Sequence, residues 1–296
     1  MQERLHDLIK THLKTDPSEA EISYVSEGLT NDNYLVRCSG GEYIVRVAGP
    51  NSRQLGIDRR NELEAIRMVS SIGYFPELIA FDPESGDMIT RYVGCKPWPA
   101  DESKNPELIS RAINALKDIH RLPPVTKRFD PVADNYERLE TMAAKGYPVD
   151  ELPFYEGSLR ALDMAAGHEL YRNAERVFCH NDSFRQNYLF CERTYLLDWE
   201  YAGVGDGYFD LACTFMGSDG ELLESVLSQY AGVVTRDILR RFYLNKYLAR
   251  MWCGTWALIQ IGALSEENKY PFEEEAKRTF ASLERQAERL YGVLGG

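Results

Sequence analysis

The side chains best suited to group-transfer chemistry are concentrated around one short predicted hairpin. Residues 179–187 read CHNDSFRQN, and the apolar runs 188–190 and 195–197 flank the turn CERT. Pairing of these runs across a four-residue turn places Asn187 opposite Asp198. Directly opposed residues of an antiparallel pair lie about 4.5–5.5 Å apart. An amide oxygen and a carboxylate at that distance suit a hard divalent cation such as Mg²⁺.

Asp182 lies on the loop that leads into this hairpin. The order His180, Asp182, Asn187, hairpin, Asp198 matches the catalytic-loop pattern of kinases. In that pattern a carboxylate orients the acceptor hydroxyl, while metal ligands help neutralise the phosphate being transferred. The alternative is a structural turn in which Asp182 caps the loop and Asn187 bonds to its own backbone. The four matching positions and the compatible hairpin favour the kinase interpretation.

A cation and a carboxylate near the N-terminus fit the same pattern. Arg46 lies on the predicted strand GEYIVRVAG, and Glu62 lies on the predicted helix that follows. A nucleotide-binding lobe needs such a strand cation, held by a helix carboxylate. Glu64 is the near alternative, but it points about 200° away from Glu62 around the helix. Arg46 could instead be an exposed strand residue that pairs with Glu42.

Two glycine-containing stretches are candidates for a phosphate loop. The loop 26–33 has a single glycine, so donors from Thr30 and Asn31 would have to contact the phosphates. The stretch 203–207, GVGDG, resembles a dinucleotide motif, but the pattern is incomplete and we expect no helix to begin there. The sequence therefore favours the first loop.

The elements that must position these residues divide the chain into two parts. Residues 1–93 are rich in strand signals, residues 94–99 (GCKPWP) form a proline-containing linker, and residues 100–296 are mostly helical. We therefore predict an α+β fold with a small antiparallel-sheet N-terminal lobe and a larger helical C-terminal lobe. The helices predicted for the larger lobe are 106–120, 134–145, 155–175, 219–232, 235–262 and 271–291.

Composition and charge exclude several classes of protein. The chain has 296 residues, enough for two domains of roughly 150 residues each. Its 46 acidic and 34 basic residues give a net charge of −12, which repels nucleic acids and attracts small cationic ligands. No apolar stretch approaches the roughly 20 residues that span a bilayer. We therefore expect neither a nucleic-acid partner nor a membrane association.

The cysteines and the N-terminus predict the compartment. The six cysteines form no CxxC pair and no zinc-site spacing, so we expect reduced thiols in a cytosolic setting. The first segment, MQERLHDLIKTHLK, mixes charged and apolar residues at helical spacing, unlike a signal peptide. We therefore predict a cytoplasmic protein. Its oligomeric state stays open, a homodimer included.

The chain resembles the choline/ethanolamine kinase family, whose members are related to the aminoglycoside phosphotransferases and share a protein-kinase-like fold. The most specific part is the sequence Asp-Trp-Glu-Tyr starting at Asp198, with Asp210 twelve residues later. The similar segments cover nearly the full length: 28–36, 43–50, 55–67, 89–98, 179–187, 196–212 and 252–260.

This resemblance implies roles for the residues of the catalytic loop and hairpin. Asp182 would be the base that orients the acceptor hydroxyl. Asn187 and Asp198 would hold Mg²⁺, with Glu200 as a further metal candidate. Asp210 would be a helix N-cap that supports the loop.

The resemblance also implies how ATP is bound. Arg46 would replace the strand lysine of protein kinases, with Glu62 as its partner. Residues 90–93, which include Arg91 and Tyr92, would form the hinge whose backbone meets the adenine.

The acceptor side is implied by aromatic residues near the C-terminus. Trp252, Trp256, Tyr270 and Phe272 could hold a quaternary ammonium through cation–π attraction. The first tryptophan of the family falls on Cys253, one residue beyond Trp252. Tryptophans four residues apart on a helix are also typical of an ordinary core.

A carboxylate would assist these aromatics. The family's glutamate, nineteen residues after the metal aspartate, is replaced here by Gly217. Asp219 is close enough in sequence to be its substitute.

The function hypothesis is an ATP- and Mg²⁺-dependent kinase for the hydroxyl of a small cationic alcohol, choline or ethanolamine. The alternatives are an aminoglycoside, thiamine or sugar kinase of the same fold, or an inactive nucleotide-binding protein. A protein kinase is disfavoured because only about a dozen residues separate Asp198 from the next predicted helix, with no Ala-Pro-Glu.

Overall fold

The structure, a computed structural model, describes residues 2–27, 31–50, 52, 54–261 and 271–295. The chain forms a β-rich N-terminal lobe followed by a larger, mostly helical C-terminal lobe. The predicted α+β architecture, with an antiparallel sheet in the smaller lobe, is confirmed. Among the described residues, no helix combines the length and the apolar character needed to cross a membrane.

The N-terminal lobe is built on one antiparallel sheet. A short helix, α1 (Gln2–Leu8), precedes the sheet, and Leu5 of this helix packs on Val45 and Val47 in the core. The alternation of these two valines along one strand is typical of a strand with one buried face. The strands are β1 (Glu21–Glu27), β2 (Asn31–Cys38), β3 (Gly41–Ala48), β4 (Leu78–Phe81) and β5 (Met88–Arg91), in the spatial order β1-β2-β3-β5-β4.

Helix α2 (Arg59–Ser71) connects β3 to β4. It begins after the N-cap Asp58, whose carboxylate accepts hydrogen bonds from the backbone N–H groups of Arg60 and Asn61. Its first turns carry Arg59 and Glu62, both buried. The cap therefore fixes where two charged side chains enter the interior of the molecule.

The C-terminal lobe surrounds a small hairpin with helices. Its longest helix, α9, is buried on most sides and packs against α10, α4 and α7. The helices are α3 (Pro106–Ile119), α4 (Pro131–Ala144), α5 (Tyr155–Gly167), α6 (Glu169–Arg172), α7 (Gly207–Thr214), α8 (Gly220–Ala231), α9 (Arg236–Gln260) and α10 (Phe272–Leu294). The strands are β6 (Lys96–Pro97), β7 (Arg176–Cys179), β8 (Tyr188–Phe190), β9 (Thr194–Leu196) and β10 (Gly203–Asp206).

Two expectations for the helices are wrong. A helix, α7, does begin directly after the GVGD stretch, because the carboxylate of Asp206 caps it by accepting from Tyr208 N. The GVGD stretch itself is strand β10, paired with β7. The predicted helix 155–175 is divided after Gly167, where His168 adopts an extended backbone and its side chain caps α6.

The hairpin that carries the site is one residue out of the predicted register. Tyr188 pairs with Leu196, and the backbone N–H of Leu197 donates to the carbonyl of Asn187 at 2.9 Å. Asn187 is therefore opposite Leu197, and the predicted direct pairing of Asn187 with Asp198 is wrong.

The shift arises because the hairpin turn has three residues rather than four. Thr194 joins the strand opposite Phe190, as suits a β-branched residue. Arg111 of α3 holds the turn by donating to the carbonyls of Cys191 and Arg193 at 2.8 and 2.5 Å. The sequence of the turn alone does not reveal this clamp from a distant helix.

The linker between the lobes is bound to the same hairpin. Lys96 of β6 pairs with Phe190 of β8, and the next pair outward is Cys95 and Cys191, which form a disulfide with Cα atoms 5.0 Å apart. The expectation that all cysteines are reduced is therefore wrong for this pair. The free thiols are Cys38, Cys179, Cys213 and Cys253.

Candidate active site

His180 shapes the loop that presents Asp182. The backbone N–H of Asp182 donates to His180 Nδ1 at 3.1 Å, and His180 Nε2 donates to the carbonyl of Leu197 at 2.8 Å. This pattern requires a neutral imidazole with its proton on Nε2. Burial lowers the pKa of His180 to about 4, which keeps the ring in that form at neutral pH. The ring thus joins the loop to the hairpin.

The neutral His180 predicts a specific pH dependence of stability. The pKa of His180 in the folded chain lies below the ordinary value of about 6.5. Between pH 4 and pH 6.5 the unfolded chain therefore binds more protons than the folded chain. The stabilisation is complete above pH 6.5 and is lost as the pH falls towards 4. We expect the free energy of unfolding of the wild type to fall by roughly 2–3 kcal/mol more than that of His180→Gln across this window.

Chemical denaturation at several pH values measures this difference. His12→Gln, at an exposed histidine, is the matched control and should keep the wild-type profile. Equal pH profiles for the wild type and His180→Gln would contradict the assigned protonation state.

Asp210 supports the same loop through hydrogen bonds to its backbone. Its carboxylate accepts from the backbone N–H groups of His180 and Asn181 at 2.8 and 2.6 Å, and from His120 Nε2 at 3.0 Å. Asp210 lies inside α7, whose N-cap is Asp206, so its expected role as a helix N-cap is wrong. Its support of the loop is confirmed.

Asn187 fixes the orientation of Asp182. The Asn187 side-chain nitrogen donates to the Asp182 backbone carbonyl at 2.7 Å and to Asp182 Oδ2 at 3.3 Å. Since the NH₂ group of the amide faces Asp182, the amide oxygen points the other way. That oxygen is the atom a metal ion would bind.

Asp198 and Glu200 bring further acidic groups to the loop. Asp198 has a left-handed backbone with φ 67°, which breaks the alternation of the strand and redirects the carboxylate. Burial raises the pKa of Asp198. Burial and the charge of Asp198 raise the pKa of Glu200 to about 8. Burial, with the charges of Asp198 and Glu200, also raises the pKa of Asp182.

These residues fit a hard divalent cation. They offer oxygen atoms from two carboxylates and one amide, which is the donor chemistry that Mg²⁺ prefers. Burial is the main cause of the raised pKa values, with the charge of Asp198 adding to it at Glu200, and a divalent cation would stabilise the charged form of such buried acids. The candidate donors are Asn187 and Asp198, with Glu200 as a further candidate.

Arg46 and Glu62 form the ion pair that the sequence predicts. Arg46 Nη1 donates to Glu62 Oε1 at 2.6 Å, and both side chains are at most 5% exposed. Arg46 also donates through Nε and Nη2 to the carbonyl of Gly86 at 3.2 and 2.8 Å. Burial alone would lower the pKa of Arg46, but the charge of Glu62 raises it overall.

Arg59 is a site residue that the sequence interpretation missed. Its Nη1 donates to Glu62 Oε2 at 2.7 Å and to Glu200 Oε2 at 3.3 Å, and its Nη2 donates to Asn31 Oδ1 at 3.2 Å. The available signal was its position three residues before Glu62, on the same face of α2. Its contact with Glu200 could not be read from local spacing.

Several polar contacts join the lobes near this site. Besides the Arg59–Glu200 ion pair, Asn61 Nδ2 donates to the carbonyl of Ala202 at 2.7 Å. Lys127 Nζ donates to the carbonyl of Gly56 at 2.9 Å. The start of α2 and the segment before it are thus bonded to the C-terminal lobe.

Glu62→Gln is expected to be strongly destabilising. Glu62 lies between two buried arginines, so removing its charge leaves Arg46 without its anion and leaves Arg59 only Glu200 as a partner. Breaking a buried ion pair in this way costs about 3–5 kcal/mol of unfolding free energy. Equilibrium unfolding in urea measures the loss.

The matched control for Glu62→Gln is a surface glutamate, Glu84, that pairs with an arginine of the same helix. Arg60 and Glu84 form an exposed pair, each side chain 75% exposed, and such pairs contribute about 0–1 kcal/mol. Glu84→Gln should therefore change stability little. Similar losses in the two variants would contradict the importance of the buried pair.

Two of the predicted hinge residues, Arg91 and Tyr92, use their backbone N–H groups inside the N-terminal lobe. The backbone N–H of Arg91 donates to Glu77 O at 2.9 Å, and that of Tyr92 donates to Glu42 O at 3.0 Å. The Arg91 guanidinium packs over Tyr43, 4.6 Å from the ring centroid. Both N–H donors are therefore used within the sheet.

Two predicted contact residues, Thr30 and Tyr270, lie outside the described residues. Asn31 is described and buried, with its amide between Arg59 and Glu200; its Nδ2 donates to Glu200 Oε2 at 3.4 Å. Asn31 of the N-terminal lobe thus contacts Glu200 of the C-terminal lobe.

The two tryptophans of α9 differ in their surroundings. Trp252 is 3% exposed and belongs to the main core of the C-terminal lobe. Trp256 is partly exposed, and its Nε1 donates to the hydroxyl of Tyr201 at 2.9 Å. Of these two residues, Trp256 alone offers part of its ring to solvent.

Asp219 is engaged elsewhere in the lobe. It is the N-cap of α8, and its carboxylate accepts two hydrogen bonds from Arg289, each 2.5 Å long. The hydrogen bond from Arg289 is the main cause that lowers the pKa of Asp219 to about 2. This arrangement indicates a structural role, and we leave Asp219 out of the acceptor site proposed below.

Comparison with known proteins places this geometry in context. A family model described as the phosphotransferase enzyme family matches residues 21–242. Protein LicA of Haemophilus influenzae is 26% identical over 193 residues, a match that covers 62% of this chain. The match covers 55% of that relative, so this chain spans about half the length of LicA.

Solved structures with a similar fold cover almost the whole chain. A choline/ethanolamine kinase family protein from Mesorhizobium loti has a TM-score of 0.79 and 23% identity, over 99% of this chain and 98% of its own. The choline kinase LicA from Streptococcus pneumoniae has a TM-score of 0.78 and 21% identity, over 98% and 99%. The predicted kinase-like, two-lobed fold is confirmed.

Proposed function

Because the chain belongs to the phosphotransferase enzyme family, we propose that it transfers the terminal phosphate of ATP to the hydroxyl of a small cationic alcohol. The acceptor class is that of choline and ethanolamine. The observation that carries the proposal is Asp182, held by the Asn187 amide on a loop beside Asp198 and Glu200.

Asp182 is the proposed base. Its carboxylate would accept a hydrogen bond from the acceptor hydroxyl and take the proton as the new oxygen–phosphorus bond forms, while the bond from the γ-phosphorus to the bridging oxygen breaks and ADP leaves. Burial raises the pKa of Asp182, and a more basic carboxylate is a better proton acceptor. Asn187 and the His180 hydrogen bond keep this carboxylate in one orientation.

Asn187 and Asp198 are the proposed Mg²⁺ ligands, with Glu200 beside them. When bound, the ion would neutralise charge on the nucleotide phosphates. Asp198 has a left-handed backbone that breaks the alternation of the strand, and the amide of Asn187 is oriented by its hydrogen bond to Asp182.

Arg46 and Arg59 are the proposed cations facing the nucleotide phosphates. Each pairs with Glu62, which holds the two guanidinium groups in place. Because Arg91 and Tyr92 use their N–H groups within the sheet, we assign the backbone contact with adenine to the linker from Val93 onward.

Trp256 and Tyr201 are the proposed acceptor wall. Tyr201 follows Glu200 directly, and its hydroxyl is bonded to the indole of Trp256. The partly exposed indole of Trp256 can attract an ammonium group through cation–π contact. The net charge of −12 agrees with a cationic acceptor.

The test is turnover of ATP with Mg²⁺ and a panel of alcohols. Choline and ethanolamine should each give a phosphorylated product, and inositol, a neutral polyol, should not. Preferential turnover of an aminoglycoside or of thiamine would contradict the proposed acceptor class. Absence of turnover with every alcohol would contradict the proposed activity.

A further inference from the structure

The aromatic face of Trp252 is already covered by a cation of the chain. The guanidinium carbon of Arg138 lies 4.2 Å from the centroid of the Trp252 ring, and Arg138 Nη1 donates to the Trp252 carbonyl at 3.4 Å. The ring of Tyr201 packs edge-on at 4.8 Å, and that of Phe129 lies 6.0 Å away. A ligand can therefore reach this indole only by displacing a side chain.

Arg138 occupies the kind of position that a substrate ammonium would take. A guanidinium over an indole face is a cation–π contact. In the part of the chain that the structure describes, no carboxylate oxygen lies within 4.0 Å of the Arg138 nitrogens. The guanidinium is thus held by the ring and the backbone of Trp252.

This position borders the proposed acceptor wall. Trp252 contacts Tyr201, whose hydroxyl is bonded to Trp256. A single turn of α9 separates the covered indole of Trp252 from the partly exposed indole of Trp256. Uncovering Trp252 would therefore add a second aromatic face next to the first.

We propose that Arg138 determines which ammonium group the site accepts, an inference that rests on the proposed function. A quaternary ammonium has no N–H donors, so its binding depends on aromatic faces. A primary ammonium can also donate hydrogen bonds to oxygen atoms such as the Tyr201 hydroxyl. By covering one face, Arg138 weakens choline binding more than ethanolamine binding.

The test compares both alcohols with Arg138→Met, which keeps an apolar stem and removes the guanidinium. KM for choline is expected to fall about 10-fold, in the range of one desolvated cation–π contact. KM for ethanolamine should change less than about 3-fold, because hydrogen bonds carry more of its binding. KM for ATP reports on the integrity of the nucleotide site.

The chain offers a matched control in Arg176→Met. The guanidinium carbon of Arg176 lies 4.8 Å from the ring centroid of Tyr171, and Arg176 Nη2 donates to the Tyr171 carbonyl at 3.0 Å. This variant removes the same charge from the same kind of contact. It should leave the ratio of the two KM values unchanged, and Arg138→Gln provides a second variant if Arg138→Met fails to fold.

The outcomes separate this inference from the function on which it rests. A choline KM that stays constant or rises, or two KM values that fall in parallel, would overturn the role of Arg138. A fall in the choline KM alone, absent from Arg176→Met, would support it. Failure of the wild type to phosphorylate either alcohol would contradict the proposed function itself.

Discussion

Asp182→Asn is expected to lower kcat about 1,000-fold, within the range that a positioned general base contributes. The amide keeps the shape of the carboxylate but cannot take the proton of the acceptor hydroxyl. The Asn187 amide, which donates to Asp182 Oδ2 at 3.3 Å in the wild type, can still donate to the remaining carbonyl oxygen. Nucleotide binding should therefore be retained.

Two measurements test this result together. Steady-state phosphorylation gives kcat, and calorimetric titration with a nonhydrolysable ATP analogue gives nucleotide affinity. Asp237→Asn removes a charge from an aspartate that is 68% exposed and should behave as the wild type. An Asp182→Asn enzyme with full kcat would remove the proposed base from the mechanism.

Asp210→Ala is expected to cost about 3–5 kcal/mol of unfolding free energy and to reduce turnover strongly. Its carboxylate is fully buried and accepts the N–H groups of His180 and Asn181. Removing it leaves these buried donors unsatisfied, and each such donor costs about 1–3 kcal/mol. The loop that presents Asp182 then loses its anchor to α7.

Thermal and urea unfolding measure the stability loss, and kcat measures the displacement of the loop. Asp118→Ala is the control, because Asp118 pairs with Arg121 at the surface. A variant that unfolds like the wild type would show that the loop does not depend on Asp210.

The contacts among His180, Asp182 and Asn187 could be predicted because these residues lie close together in the sequence. His180, Asp182 and Asn187 belong to one short segment, so the turn that joins them also fixes their neighbours. Arg46 and Glu62 could be paired because a strand and the following helix bring them together. In each case local geometry was sufficient.

The errors arose where distant residues decide the geometry. Arg111 of α3 donates to two carbonyls of the hairpin turn, which has three residues rather than the predicted four. Arg138 covers Trp252 from another helix, a contact that the sequence interpretation did not foresee. Arg59 reaches Glu200 across the lobes. No periodicity in the sequence encodes contacts between elements so far apart.

The bonds between α2 and the C-terminal lobe have a mechanical consequence for nucleotide entry. Asn61 and Arg59 bond this helix to Ala202 and Glu200 of the C-terminal lobe. Helix α2 is therefore attached to the C-terminal lobe as well as to the sheet of its own lobe. If ATP enters between the lobes as proposed, a movement of the sheet away from the C-terminal lobe would have to break these hydrogen bonds or leave α2 in place. In the second case the movement would strain the Arg46–Glu62 ion pair, which joins β3 to α2.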